Sequence, residues 1–163
     1  MQQPDVHAPE LTGPVLCART HRVGMSEGDG AGLLYFAAPM PWAERLFSDW
    51  LAELGHTTRA LFESGAAYPV VDAHVEYLAP LALDDVIRLE LATRRIGTRS
   101  FVVRTQAIRS SDGTLCAQVE LVQVYVTGLG GDLRPTPLPD WLTAALRGDP
   151  LPASADDGGP RGA

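Results

Sequence analysis

The segment from Pro41 to Gly55 constrains this chain more than any other. Ala43, Leu46, Phe47, Trp50, Leu51 and Leu54 recur at helical spacing, while Glu44, Arg45, Ser48, Asp49 and Glu53 take the other side. Pro41 suits the first turn of such a helix and Gly55 its C-terminal stop. A helix with so broad an apolar stripe must bury it, and the rest of the chain offers mostly strands. Val15 to Val23 has strand composition, and a shorter helical stretch over Thr57 to Glu63 precedes a change of period. Val71, Ala73, Val75 and Tyr77 alternate with Asp72, His74 and Glu76; Ile87, Leu89 and Leu91 alternate with Arg88 and Glu90. Phe101, Val103 and Thr105, then Leu115 to Val126, complete the strand pattern. Ser111-Asp112-Gly113 reads as a hairpin turn, and the links 79–85 and 96–98 are short enough to join antiparallel neighbours. The order predicts an α+β domain, with one strand, then the long helix, then four meandering strands whose antiparallel sheet covers that helix.

Residues 1–13 read as a flexible leader, 14–146 as a single domain and 147–163, rich in Gly and Pro, as a disordered tail. A domain of this size buries a core without disulfide staples. Cys17 and Cys116 have no Cys-x-x-Cys spacing, and His7, His21, His56 and His74 form no ligand pair on a helix, so reduced cysteines and no metal are expected. All 13 basic residues are arginine. With no lysine in the chain, Schiff-base and P-loop lysine chemistry are excluded, and with no asparagine there is no N-glycosylation acceptor. Against 20 acidic residues the net charge is −7, which argues against a nucleic-acid partner. No apolar run approaches the ~18 residues of a membrane span, and the first residues are polar rather than signal-like. The expectation is a cytoplasmic protein with no membrane partner.

Between the first strand and the helix lies Ser26-Glu27-Gly28-Asp29-Gly30-Ala31-Gly32, which is loop. Its glycines miss the Gly-x-Gly-x-x-Gly spacing because position 33 is Leu, so dinucleotide binding is rejected. Gly24-Met25-Ser26-Glu27-Gly28 fits the G-x-S-x-G nucleophile elbow in letters only. That elbow needs a parallel sheet and a helix directly after the serine, and neither follows. Asp29 has two readings, a turn aspartate or helix cap on one side and a reactive carboxylate ahead of a helix on the other.

Asp29-Gly30-Ala31-Gly32-Leu33-Leu34-Tyr35-Phe36, followed by Trp42, resembles the Asp-x-Ala-Gly-x-x-Tyr-Tyr signature of hotdog-fold acyl-CoA thioesterases, nearest to the 4-hydroxybenzoyl-CoA thioesterase branch. The resemblance continues through Pro69-Val70-Val71, Tyr77-Leu78-Ala79-Pro80, Arg99-Ser100-Phe101-Val102 and Leu138-Pro139-Asp140-Trp141-Leu142, covering roughly residues 15 to 146. It implies a hotdog fold and hydrolysis of an acyl-CoA, with Asp29 as nucleophile or as general base on water. It also implies that the backbone N–H of Phe36 binds the thioester oxygen, and that Tyr35 and Trp42 lie at the substrate. A carboxylate near a helix N-terminus is favoured in its ionised form, and N–H donors there stabilise developing negative charge. One departure stands out: Ala38-Pro39 replaces the family's Asn-Tyr, with Pro41 following, which predicts a distorted first helical turn.

By the same resemblance Glu44 matches an acid that contacts the distal hydroxyl of an aromatic acyl group; a solvated helix glutamate is the alternative. Arg94, Arg95 and Arg99 crowd one turn of an acidic protein, and like charges so close gain from an anionic partner. Arg99 falls where relatives hold the coenzyme A phosphates; a solvated turn is the alternative. The resemblance further implies no cofactor beyond the coenzyme A of the substrate, and a homodimer or homotetramer whose sheets pair edge to edge around the site. Two other functions remain open: a non-catalytic hotdog module that binds acyl thioesters, and a thioesterase acting on acyl-carrier protein.

Overall fold

The computed structural model describes residues 13–150, so most of the expected leader and tail, 1–12 and 151–163, lies outside the described residues. Strand β1 (Val15–Arg22) is followed by a 3-10 turn (Met25–Glu27), the glycine loop and helix α1 (Pro39–Glu53). Then come α2 (Thr58–Glu63), β2 (Ala66–Ala67), β3 (Val70–Tyr77), β4 (Val86–Ile96), β5 (Ser100–Arg109), β6 (Leu115–Val124), β7 (Val126–Thr127), β8 (Arg134–Pro135) and α3 (Asp140–Arg147). Five strands make one antiparallel sheet in the order β1-β4-β5-β6-β3, and β2, β7 and β8 make a small second sheet.

The stripe of α1 behaves as its spacing demands. Ala43, Leu46, Phe47, Trp50 and Leu51 are buried against Leu89 and Leu91 of β4, Phe101 and Val103 of β5 and Val119 and Leu121 of β6. Phe47 anchors the layer, stacking on Phe101 at 5.6 Å and meeting Tyr68 edge-on at 5.2 Å. The helix begins at Pro39, two residues before Pro41, and runs on without the distorted first turn expected from the two prolines. The physical reason is position: the first N–H groups of a helix have no intrahelical partner, so proline there removes nothing. Both cysteines are free, as expected, and burial pushes the Cys17 thiol up to about 11.

The expected meander holds for β4, β5 and β6 but not for β3, which pairs with β6 and forms the far edge of the sheet. Residues 78–85 therefore cross the end of the sheet from β3 to β4 rather than turning between neighbours. Eight residues reach up to ~27 Å extended, and the three strand spacings to be crossed amount to only ~14 Å. The crossing segment also supports the glycine loop, since Leu34 N–H donates to Leu81 O at 2.9 Å and Leu83 N–H to Gly32 O at 3.3 Å. A Cβ added to Gly28 would lie 2.5 Å from Leu83 Cδ2, so that position suits glycine.

Candidate active site

Asp29 sits exposed on the loop that feeds α1, and its own backbone closes that loop. Its N–H donates to Leu33 O at 2.7 Å and its carbonyl accepts from Gly32 N–H at 3.1 Å, with Gly32 at φ +78° where a side chain would strain. The carboxylate is half committed: Oδ1 accepts from the amides of Ala31 at 2.8 Å and Leu33 at 3.1 Å. Oδ2 has no partner among the described residues. The turn reading and the reactive reading of Asp29 are thus compatible, because one oxygen builds the turn and the other faces outward.

Beyond Asp29 the chain makes a tight turn in which Tyr35 O accepts from Ala38 N–H at 2.9 Å. That bond fixes the Tyr35–Phe36 peptide, whose N–H is without a partner among the described residues. The next carbonyl, Phe36 O, accepts from the Tyr77 hydroxyl at the end of β3. Because Pro39 and Pro41 carry no N–H, the helix end itself offers few donors, and the Phe36 amide stands just ahead of it. The rings of Tyr35 and Phe36 lie 4.7 Å apart, and Phe36 is 69% exposed.

Trp42 lies on the buried side of α1. Only 6% exposed, it packs into the core, and its indole N–H donates to Glu27 Oε1 at 2.6 Å. Its one polar atom is thus committed to Glu27, while its ring borders, with Glu44, the cleft between α1 and β1. Glu27 was missed altogether, although a glutamate three residues after the residue that caps a turn is a known signal. Its carboxylate gathers Gly24 N–H at 2.8 Å and His21 Nε2 at 2.9 Å as well, while its own carbonyl accepts from Tyr35 N–H at 2.7 Å. One residue therefore ties β1, the 3-10 turn, the Asp29 loop and α1 together.

Burial works to raise the Glu27 carboxyl, but the donors Trp42, Gly24 and His21 outweigh it and hold the group below its ordinary 4.5. A carboxylate depressed on folding contributes stability that is present above the unfolded value and lost as pH falls through the folded one. Glu27→Gln is accordingly expected to lower Tm at neutral pH and to converge on wild type only as pH falls through the lowered folded value, below the ordinary 4.5. Thermal melts across pH test this, and parallel curves for the two proteins would show that the ionised carboxylate is not what binds the three donors.

Glu44 is exposed on α1 and accepts from Ser48 Oγ at 2.9 Å; it borders two clefts, one towards β1 and one towards β3. The three arginines do not gather. Arg94 pairs with Glu120 at 3.2 Å, beside Arg104 at 2.9 Å on the same carboxylate oxygen, and these lie on the sheet face turned away from α1. Arg95 pairs in register with Val102 of β5, whose side chain lies on that same face. Arg99 stands exposed on the β4–β5 turn, its side chain without a partner among the described residues. Within one chain, Arg99 lies at the opposite end of the sheet from Asp29. The eleven residues of β4 separate the two ends, a length of about 35 Å.

An antiparallel sheet of this order around one long helix, with a carboxylate loop at the helix entry, is the hotdog fold in its thioesterase form. The chain belongs to the Thioesterase-like superfamily, whose profile matches residues 23–146. It is 30% identical over 125 residues to a 1,4-dihydroxy-2-naphthoyl-CoA hydrolase of Thermosynechococcus vestitus, covering 76% of this chain and 86% of that one. It is 29% identical over 126 residues to the acyl-CoA thioester hydrolase YbgC of Escherichia coli, covering 77% of this chain and 92% of the other. In structure it resembles the 4-hydroxybenzoyl-CoA thioesterase of Pseudomonas sp. strain CBS-3, with a TM-score of 0.69 and 19% identity over 79% of this chain and 97% of that one.

Proposed function

We infer that this protein hydrolyses an acyl-CoA thioester, with Asp29 as its reacting carboxylate. The observation that carries this reading is the division of labour at Asp29: Oδ1 is fixed by two amides while Oδ2 is left to react. Acting as base, Oδ2 takes a proton from water as the water oxygen bonds to the thioester carbon; acting as nucleophile, it forms that bond itself and water then cleaves the anhydride. Either way the carbonyl oxygen gains negative charge, the Phe36 N–H binds it, and the carbon–sulfur bond breaks to release the coenzyme A thiol and the free acid.

The site reads as complete only in a pair of copies. Among the described residues strand β3 is a free edge, with Val70, Val71 and Tyr77 exposed along it, and such an edge invites antiparallel pairing with a second β3. A two-fold axis through that edge turns the second sheet end for end. It brings the second copy's β4–β5 turn, with Arg99, to the end where the first copy holds Asp29. Arg99 then supplies a charge-assisted contact for the coenzyme A phosphates.

The test is release of free thiol from a panel of aromatic and fatty acyl-CoA esters. Turnover on at least one supports the reading; binding without thiol release would make the protein a non-catalytic carrier of acyl thioesters, and turnover confined to acyl-carrier-protein esters would change the carrier. If Glu44 reads a hydroxyl on an aromatic acyl group, Glu44→Ala is expected to weaken hydroxyaryl esters selectively. Equal losses on fatty and aromatic esters would return Glu44 to the solvated face.

A further inference from the structure

A cavity of about 290 Å³ lies between α1, α2 and the start of β3, bordered by Glu44, Thr58, Phe62, Tyr68, Val70 and Gln123. Most of its wall is apolar, and its size suits one acyl fragment rather than a whole coenzyme A ester. Three polar features break the wall. Glu44 is held by Ser48, and the hydroxyls of Thr58 and Tyr68 bond each other at 3.2 Å. The third is out of balance: Gln123 is only 3% exposed, its Oε1 is wholly buried without a partner, and its carboxamide makes no hydrogen bond among the described residues. A buried amide left unsatisfied is costly, and a polar group of a ligand entering the cavity can supply the missing partner.

We propose that this cavity is the acyl chamber and that Gln123 recognises a polar substituent, a hydroxyl or ring oxygen, at the far end of the acyl group. The proposal rests on the thioesterase reading above. The cavity sits at the Val70 end of β3, whereas Tyr77, at the other end, holds Phe36 of the catalytic loop. Antiparallel pairing of two β3 edges sets the Val70 end of one copy beside the Tyr77 end of the other. The chamber of one copy therefore serves the Asp29 loop of its partner copy. A carboxamide can turn either its oxygen or its nitrogen to the ligand, so it accepts from a hydroxyl or donates to a carbonyl.

The experiment compares matched esters, 4-hydroxybenzoyl-CoA with benzoyl-CoA and 8-hydroxyoctanoyl-CoA with octanoyl-CoA, on the full chain. Wild type is expected to favour at least one hydroxylated member by about tenfold or more in kcat/KM, because a site built to bond a polar group discriminates strongly against the analogue lacking it. Gln123→Leu is expected to bring that ratio close to one with Tm unchanged or raised; Gln123→Met, unbranched and of similar length, serves if the leucine variant fails to fold. A ratio near one in wild type, or a ratio that survives both substitutions, overturns the proposal while leaving the hydrolase reading intact. If no ester releases thiol, the hydrolase reading fails instead, and calorimetric binding of 4-hydroxybenzoate against benzoate decides the chamber. Tighter binding of the hydroxylated acid that is lost in the Gln123 variants sustains it, and equal binding overturns it.

Discussion

Asp29→Asn is expected to lower kcat by about 100-fold or more, as loss of an acid–base or nucleophilic group does. The substitution is a sharp one because it spares the structure. An asparagine keeps Oδ1 as acceptor for the amides of Ala31 and Leu33, so the loop closure by Asp29 N–H and Leu33 O persists and Phe36 stays where it is. What is lost is the negative charge and basicity of the second oxygen. Circular dichroism, Tm and molecular mass should match wild type, and KM should change little. An unchanged kcat would remove Asp29 from the chemistry and leave it the turn residue that its hydrogen bonds alone describe.

The contrast with Glu27 shows how much of this site a sequence can carry. The helix announces itself by period, so the fold was legible, whereas the position of Asp29 among glycines ahead of that helix leaves its turn and reactive readings open and only the resemblance singles it out. Glu27 was not legible, because its importance comes from three donors on three elements, His21, Gly24 and Trp42, that meet only after folding. Trp42 was legible as a signature residue, but its bond to Glu27 was not, since helical spacing says nothing of its indole N–H. The β3 crossover was hidden for a related reason. Alternation assigns faces to a strand but not neighbours, and a link of eight residues fits a tight connection and a crossing equally well. Arg94, Arg95 and Arg99 looked like one cluster because they are close in the chain. The irregular register at Thr93 to Arg95 turns Arg94 and Arg95 to the outer face, where Arg94 meets Glu120, while Arg99 remains on the turn.

Arg99→Ala is expected to raise KM about tenfold or more with kcat nearly kept, because a charge-assisted contact is worth about 1.5–3 kcal/mol and lies far from the reacting carbonyl. The protein is net −7 and coenzyme A is polyanionic, so no long-range attraction substitutes for the lost contact, and added salt should mimic the variant on wild type. A pantetheine thioester, which lacks the nucleotide phosphates, should not feel the substitution; equal harm to it would mean that Arg99 only holds the turn. The same variant decides which copy supplies the arginine. A heterodimer purified through two tags, one subunit carrying Asp29→Asn and the other Arg99→Ala, has both defects in one site and none in the other if the two residues come from different copies. At substrate well below the KM of Arg99→Ala it should then recover about half the wild-type rate. If Asp29 and Arg99 act within one copy, every site keeps one defect, and the heterodimer stays at the mean of the two parents. The length of β4 favours the first outcome, since a single chain sets the two residues at opposite ends of its sheet.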